Sequence, residues 1–271
     1  MHSIQTKGTK APDCANSPCG AWSFARDFWL TLPTGYDKTK KSPLLFQGPG
    51  CGGHGDNVYK LPALDATVIQ VGLSPSADAQ AFDATRPGQG CFDDMEGDDS
   101  IEWPFYEALY DELARTVCFD RDRVFAAGRS TGATLANELG CKYAGDATRP
   151  IRGIMVLSGG LPSDPKFEPT CTTKPMAGMW IHDLSDTVFP FTANIIALNR
   201  AMTVNHCTVG TNYDTAMFDN FPITGADTAC KRVRGCPDAT PLVVCPLPGN
   251  NRGDHGASLP IQAWPAFLQL F

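Results

Sequence analysis

The sequence predicts an α/β fold: a mainly parallel sheet flanked by helices and stapled by disulfides. Three observations carry this. Short apolar runs of strand length alternate with helical segments along the chain, the pattern that βα units produce. Val124 to Ala127 lead into Gly128-Arg129-Ser130-Thr131-Gly132, after which Leu135 and Leu139 resume at helical spacing. A sharp turn thus joins a strand to a helix at a serine, with small residues on either side because the turn is strained and neighbouring backbones come close. Eleven cysteines without the paired C-x-x-C spacing of a metal site indicate disulfides made in an oxidising compartment.

In chain order, residues 1–20 form a polar lead segment with Cys14 and Cys19, and 21–271 read as a single domain, since no linker or repeat interrupts them. Residues 22–32 alternate well enough for one or two edge strands, closed by turn residues, and 42–46 form a buried strand. Five glycines within 47–55 exclude helix and strand there, leaving a loop whose amides can face a ligand. Residues 66–71 give the next strand, followed over 74–100 by a long Gly-, Pro- and Asp-rich loop. Its acidic run DDMEGDDS lacks calcium-loop spacing and reads as a solvated face.

Residues 102–114 carry Trp103, Phe105, Tyr106, Leu109, Tyr110 and Leu113 at helical spacing, an amphipathic helix with a core-facing aromatic stripe. After the central turn come strands at 151–157, 176–181 and 242–245, a helix at 191–205 and a closing helix at 259–271.

A chain of 271 residues, 42% hydrophobic and 10% aromatic, can bury a full core. The net charge of −7, with Lys38, Lys40 and Lys41 the only basic group, leaves no stripe for nucleic acid. No apolar run approaches a membrane span. MHSIQTKGTK lacks the apolar core of a signal peptide, so a secreted or periplasmic protein is expected here without its leader. The odd cysteine count leaves a thiol unpaired or paired outside the chain. No cofactor and no metal are expected.

Ser130 needs a histidine that takes its proton and returns it to the leaving group, and a carboxylate that fixes the tautomer. His255 sits between Asp254 and Gly256 in a loop without hydrophobic periodicity. His2 is terminal, and His54 lies in the glycine loop, where it can touch substrate. His182 and His206 occupy positions ordinary for structural histidines, and the rival Ser158 lacks a preceding glycine. Asp183 and Asp186 compete as the acid, while Asp254 adjoins His255 too closely to aim at its far ring nitrogen. Donors for a tetrahedral oxyanion are the amide of Thr131 and an amide of the glycine loop at Cys51 or Gly50.

These residues resemble the secreted feruloyl esterases and polyhydroxybutyrate depolymerase-like esterases of the α/β-hydrolase fold. Cys118 to Ser130 is similar to the family's cysteine, aspartate and strand leading to the nucleophile, and Cys141 to the cysteine ending the next helix. Val156 to Gly160 is similar to its strand end, and Gly253-Asp254-His255-Gly256 to its histidine loop. His182 to Val188 resembles its His-Gly-x-x-Asp-x-x-Val segment, and Pro49 to Gly53 its His-Gly-Cys-Gly-Gly oxyanion loop. Pro49 and Asp183 depart from the family's usual histidine and glycine.

The resemblance implies an α/β-hydrolase fold and a Ser130, Asp186, His255 triad, Asp186 being the later loop position, with Thr131 and Cys51 as oxyanion donors. Gly50, His54, Arg129, Phe189 and Trp264 are its candidate substrate-binding residues. The family usually has an apolar residue at Arg129, so this charge is expected to face a polar pocket wall or solvent. The resemblance also suggests disulfides Cys118–Cys141, Cys207–Cys236, Cys51–Cys91, Cys19–Cys171 and Cys230–Cys245. The expected activity is release of hydroxycinnamates from plant cell-wall polysaccharide by a monomeric serine esterase. Depolymerisation of polyhydroxybutyrate or an aromatic polyester is the alternative with the same chemistry. A non-catalytic carbohydrate-binding protein on a hydrolase scaffold, suggested by Trp22, Trp29, Trp103 and Trp264, is the alternative from another class.

Overall fold

A computed structural model describes residues 1–8, 22–58, 64, 66–75, 90–92, 98, 100–161, 170–208, 217–221, 230–247, 255 and 263–271. The strands are β1 (His2–Gly8), β2 (Trp22–Thr31), β3 (Ser42–Gly48), β4 (Ile69–Leu73), β5 (Phe119–Arg129), β6 (Gly153–Leu157), β7 (Ala177–Asp183), β8 (Phe218–Asn220), β9 (Lys231–Val233) and β10 (Leu242–Leu247). The helices are α1 (Glu102–Thr116), α2 (Thr131–Tyr143), α3 (Phe191–Val204) and α4 (Ala263–Leu268).

Period-two alternation sends successive side chains of a strand to opposite faces, and here both faces are buried. Leu44, Phe46, Val124, Ala126, Ile154 and Val156 pack with Tyr106, Leu109, Leu135, Leu139 and Leu198 from α1, α2 and α3. Leu45, Phe125, Ala127, Met155, Leu157 and Val243 point the other way, onto Ala263, Trp264 and Phe267 of α4. Helix on both faces is what a parallel sheet requires. The strand order is β1-β2-β4-β3-β5-β6-β7-β10-β9-β8. The centre from β4 to β10 is parallel, and antiparallel pairs close both edges.

The aromatic stripe of α1 is core, as its spacing predicts. Three strands extend the sheet beyond the sequence reading. Residues 2–8, assigned to the lead segment, pair along their whole length with β2; HSIQTKG has too few apolar residues to announce a strand. β8 and β9 have three residues each, too few for a periodic signal. Most of the 74–100 loop, with much of its acidic run, lies outside the described residues.

Disulfides join Cys51 to Cys91, Cys141 to Cys171, Cys207 to Cys236 and Cys230 to Cys245. Two expected pairings are corrected. Cys118 is a free thiol and does not meet Cys141. The reason is unequal rise. Cys118 lies twelve residues before Ser130 along extended β5, roughly 40 Å, whereas Cys141 lies about 15 Å from the turn along α2. The chain returning along the helix is far short of the strand's start. Cys171 therefore bonds to the helix and is not available to Cys19, which lies outside the described residues, as does Cys14.

Candidate active site

The parallel strands deliver their following loops to one edge of the sheet, where open α/β sheets bind ligands. β3 runs into the glycine loop, β5 into Ser130, β7 into the loop with Asp186, and β10 precedes the segment holding His255.

Ser130 occupies φ 56°, ψ −126°, a strained conformation between β5 and α2. Its neighbours must be glycine. A Cβ on Gly128 would sit 2.1 Å from the Gly132 carbonyl oxygen, and one on Gly132 would sit 2.2 Å from that of Gly48. The Ser130 amide donates to the Leu157 carbonyl at 3.0 Å, tying the turn to the end of β6. The rival Ser158 is fully buried at that strand end and does not line the cavity around Ser130.

Thr131 is the first residue of α2, and its amide is among the four that a helix leaves without an internal acceptor. Across from it, Gly52 N–H donates to Gly90 O at 2.9 Å and Gly53 N–H to Gly50 O at 3.0 Å, while the Cys51 amide has no backbone acceptor among the described residues. Cys51 Sγ lies 3.6 Å from Thr131 Oγ1. Thr131 thus adjoins Ser130 at the positive end of the α2 dipole, and Cys51 lines the cavity around Ser130.

His255 Nδ1–H donates to Asp186 Oδ2 at 2.8 Å. The other Asp186 oxygen accepts from the Val188 and Phe189 amides at 2.8 and 2.9 Å, so the carboxylate is buried but fully engaged. Asp183 is engaged elsewhere: its Oδ1 accepts from the amide and hydroxyl of Ser185, both at 2.7 Å, closing its own turn. With Nδ1 donating, His255 Nε2 carries the free lone pair of the ring; it is buried and has no hydrogen-bond partner among the described residues.

His182 braces the acid from below. Its Nε2–H donates to the Phe189 carbonyl at 2.7 Å, and its Nδ1 accepts from Asn194 Nδ2 at 2.7 Å. Burial lowers its pKa against the opposing pull of the Phe189 carbonyl and Asp186, so it stays neutral.

A cavity of about 770 Å³ opens onto Ser130 and His255, lined also by Gly50, Cys51, Arg129, Val188 and Trp264. Of the candidate substrate-binding residues, Gly50 and Arg129 line it, Trp264 contributes from a fully buried position, and His54 is exposed outside it. Phe189 stacks on the His255 ring at 5.9 Å and is not a lining residue. Within the cavity wall, Arg129 Nη2–H donates to the His255 backbone carbonyl at 3.0 Å. No sequence spacing signals that contact, which spans 126 residues.

Fold and relatives together define the class: the chain is a carboxylic ester hydrolase with the α/β-hydrolase fold. No protein-family model matches it. Among curated relatives it is similar to feruloyl esterase C of Emericella nidulans, 28% identical over 207 residues, covering 74% of this chain and 71% of that one. A probable feruloyl esterase C of Aspergillus niger matches at the same identity and coverage. Among solved structures, an acetyl xylan esterase from Aspergillus awamori shares the fold over 100% of both chains, at a TM-score of 0.63 and 11% identity. The likeness is thus to feruloyl esterases in sequence and to α/β-hydrolase esterases in fold.

Proposed function

We propose that this chain is a secreted serine esterase that releases hydroxycinnamates from plant cell-wall polysaccharide, using Ser130, Asp186 and His255, with 21–271 as its catalytic domain joined at the sheet edge by residues 2–8. The observation that carries the reading is the 2.8 Å bond from His255 to Asp186 beside the cavity that holds Ser130. Asp186 holds the proton on Nδ1, which leaves Nε2 to accept the Ser130 proton as Oγ attacks the ester carbonyl. The oxygen of the tetrahedral intermediate takes its charge between the Thr131 and Cys51 amides, each such donor worth about 2.7–4 kcal/mol in acyl-transfer enzymes. The imidazolium then protonates the departing alcohol, and water hydrolyses the acyl-enzyme by the same relay.

The similarity to feruloyl esterase C supports the hydroxycinnamoyl substrate. Four disulfides among the described residues support an extracellular site of action. No helix among the described residues is long and apolar enough to cross a membrane. The test is turnover of methyl ferulate against clearing of a hydroxybutyrate polymer film, with Ser130→Ala beside the parent. Saturable hydrolysis of methyl ferulate that Ser130→Ala abolishes supports the assignment. Activity retained by Ser130→Ala, or confined to the polymer, overturns it.

A further inference from the structure

We propose that Arg129 is a positioning residue that holds the catalytic base in register with the nucleophile. The inference rests on His255 being that base.

His255 is held from three sides: Asp186 on its ring nitrogen at 2.8 Å, Phe189 stacked on its ring at 5.9 Å, and Arg129 on its main-chain carbonyl at 3.0 Å. The first two contacts come from the same short turn after β7. They fix how the ring is turned; the one hydrogen bond on the His255 backbone among the described residues is the one from Arg129. Arg129 supplies the second, independent anchor. It is the last residue of β5, a strand paired on both sides, and it directly precedes Ser130. One residue therefore ties the backbone of the base to the strand that carries the nucleophile.

The chemistry of the contact is unusual for a half-buried arginine. Such side chains ordinarily meet a carboxylate, whereas the one polar partner of Arg129 among the described residues is a neutral carbonyl, and its Nε is buried without a partner. A guanidinium donor on a carbonyl makes a charge-assisted bond, stronger than a neutral one. The ordinary apolar side chain at this position could not make it. Because a displacement of about 1 Å between reacting groups can cost about 10²-fold in rate, an anchor on the base acts on kcat more than on substrate binding.

Arg129→Met removes the donor at similar length, and Arg129→Lys retains a single charged donor. Both are compared with the parent, and with His255→Ala and Ser130→Ala, for folding by circular dichroism and for kcat and KM. The substrates are a neutral p-nitrophenyl ester and one bearing a terminal carboxylate. We expect Arg129→Met to lower kcat about 10²-fold on both esters with KM changed less than about twofold, Arg129→Lys to fall between, and added guanidinium chloride to restore part of the Arg129→Met rate. An unchanged kcat in folded Arg129→Met overturns the proposal. So does a loss confined to the KM of the carboxylate ester, which makes Arg129 a substrate anion site. Full activity in His255→Ala overturns the base assignment and the proposal with it; an inactive His255→Ala beside an unaffected Arg129→Met overturns only the proposal.

Discussion

His182 Nε2 stands 3.4 Å from Asp186 Oδ2, both side chains fully buried, yet the imidazole is neutral. Burial disfavours its cation more than the Phe189 carbonyl and the nearby carboxylate favour it. Its two nitrogens are spent on a carbonyl and on Asn194. One carboxylate thus faces two histidines with different work: a neutral brace that shapes the acid loop and, in the proposed mechanism, a base that changes protonation in each cycle. The brace links α3 to the acid loop through Asn194.

This arrangement predicts a pH dependence of stability. The folded pKa of His182 is lowered from 6.5, so as pH falls below about 6.5 the unfolded chain takes up a proton that the folded chain refuses. Stability is therefore lost on the acid side until the folded pKa is reached, and above pH 6.5 the group contributes no slope. His182→Gln keeps a donor toward Phe189 and removes the titration. Melting temperatures between pH 7.5 and 5 should fall less steeply in His182→Gln than in the parent. Parallel curves would show that His182 does not titrate differently on unfolding.

The elbow makes a steric prediction. A methyl at Gly128 meets the Gly132 carbonyl at 2.1 Å with backbone on both sides, so no rotamer change relieves it. Gly128→Ala should cost about 1–3 kcal/mol by overpacking, and also displace Ser130. Gly35→Ala is the control, because its Cβ meets nothing within 4 Å although its φ of 75° is strained. Denaturant midpoints and esterase rates together check this: both variants lose stability, and only Gly128→Ala loses kcat. Full activity in a folded Gly128→Ala would contradict the close packing at the turn.

Much of this architecture was legible in the residues. The strands of the parallel core carry short apolar runs buried on both faces, so composition reveals them, and Gly128-Arg129-Ser130-Thr131-Gly132 carries its own steric logic. What stayed hidden is contact between distant segments. Nothing local marks Cys171 as the partner of Cys141, or Arg129 as a donor to the His255 carbonyl. The polar strand β1 exists because β2 offers it a partner, not because HSIQTKG favours extension.

The disulfide from Cys51 to Cys91 predicts a functional staple. It secures the glycine loop that carries one proposed oxyanion donor, and Cys51 Sγ touches the hydroxyl of Thr131, the residue proposed to carry the other. Cys91→Ser should lower stability by about 2–4 kcal/mol, and it should also reduce kcat, because the Cys51 amide loses its fixed position. Cys207→Ser breaks a bridge that borders no part of the cavity. It should lower the melting temperature with kcat unchanged below that temperature. Equal effects of the two variants on kcat would mean that the bridges act only through global stability.

The identity of the acid gives the sharpest separation. In Asp186→Asn the side-chain oxygen stays on the Val188 and Phe189 amides, which require an acceptor, so the new amide group faces His255. An amide N–H there obliges Nδ1 to accept, which moves the ring proton to Nε2, the nitrogen proposed to take the proton of Ser130. The wrong tautomer is then the stable one. In a serine protease triad the same carboxylate-to-amide change costs about 10⁴ in kcat while the geometry is kept, and a loss of that order is expected here. Asp183→Asn keeps the oxygen that accepts from Ser185 and faces no histidine ring nitrogen, so its rate should stay within about threefold of the parent, a difference of roughly 0.6 kcal/mol in activation free energy. Rates of modification by a serine-directed phosphonate should follow the same order, because labelling Ser130 needs the same proton transfer. A larger loss in Asp183→Asn than in Asp186→Asn would transfer the acid to position 183 and undo the reading of the loop.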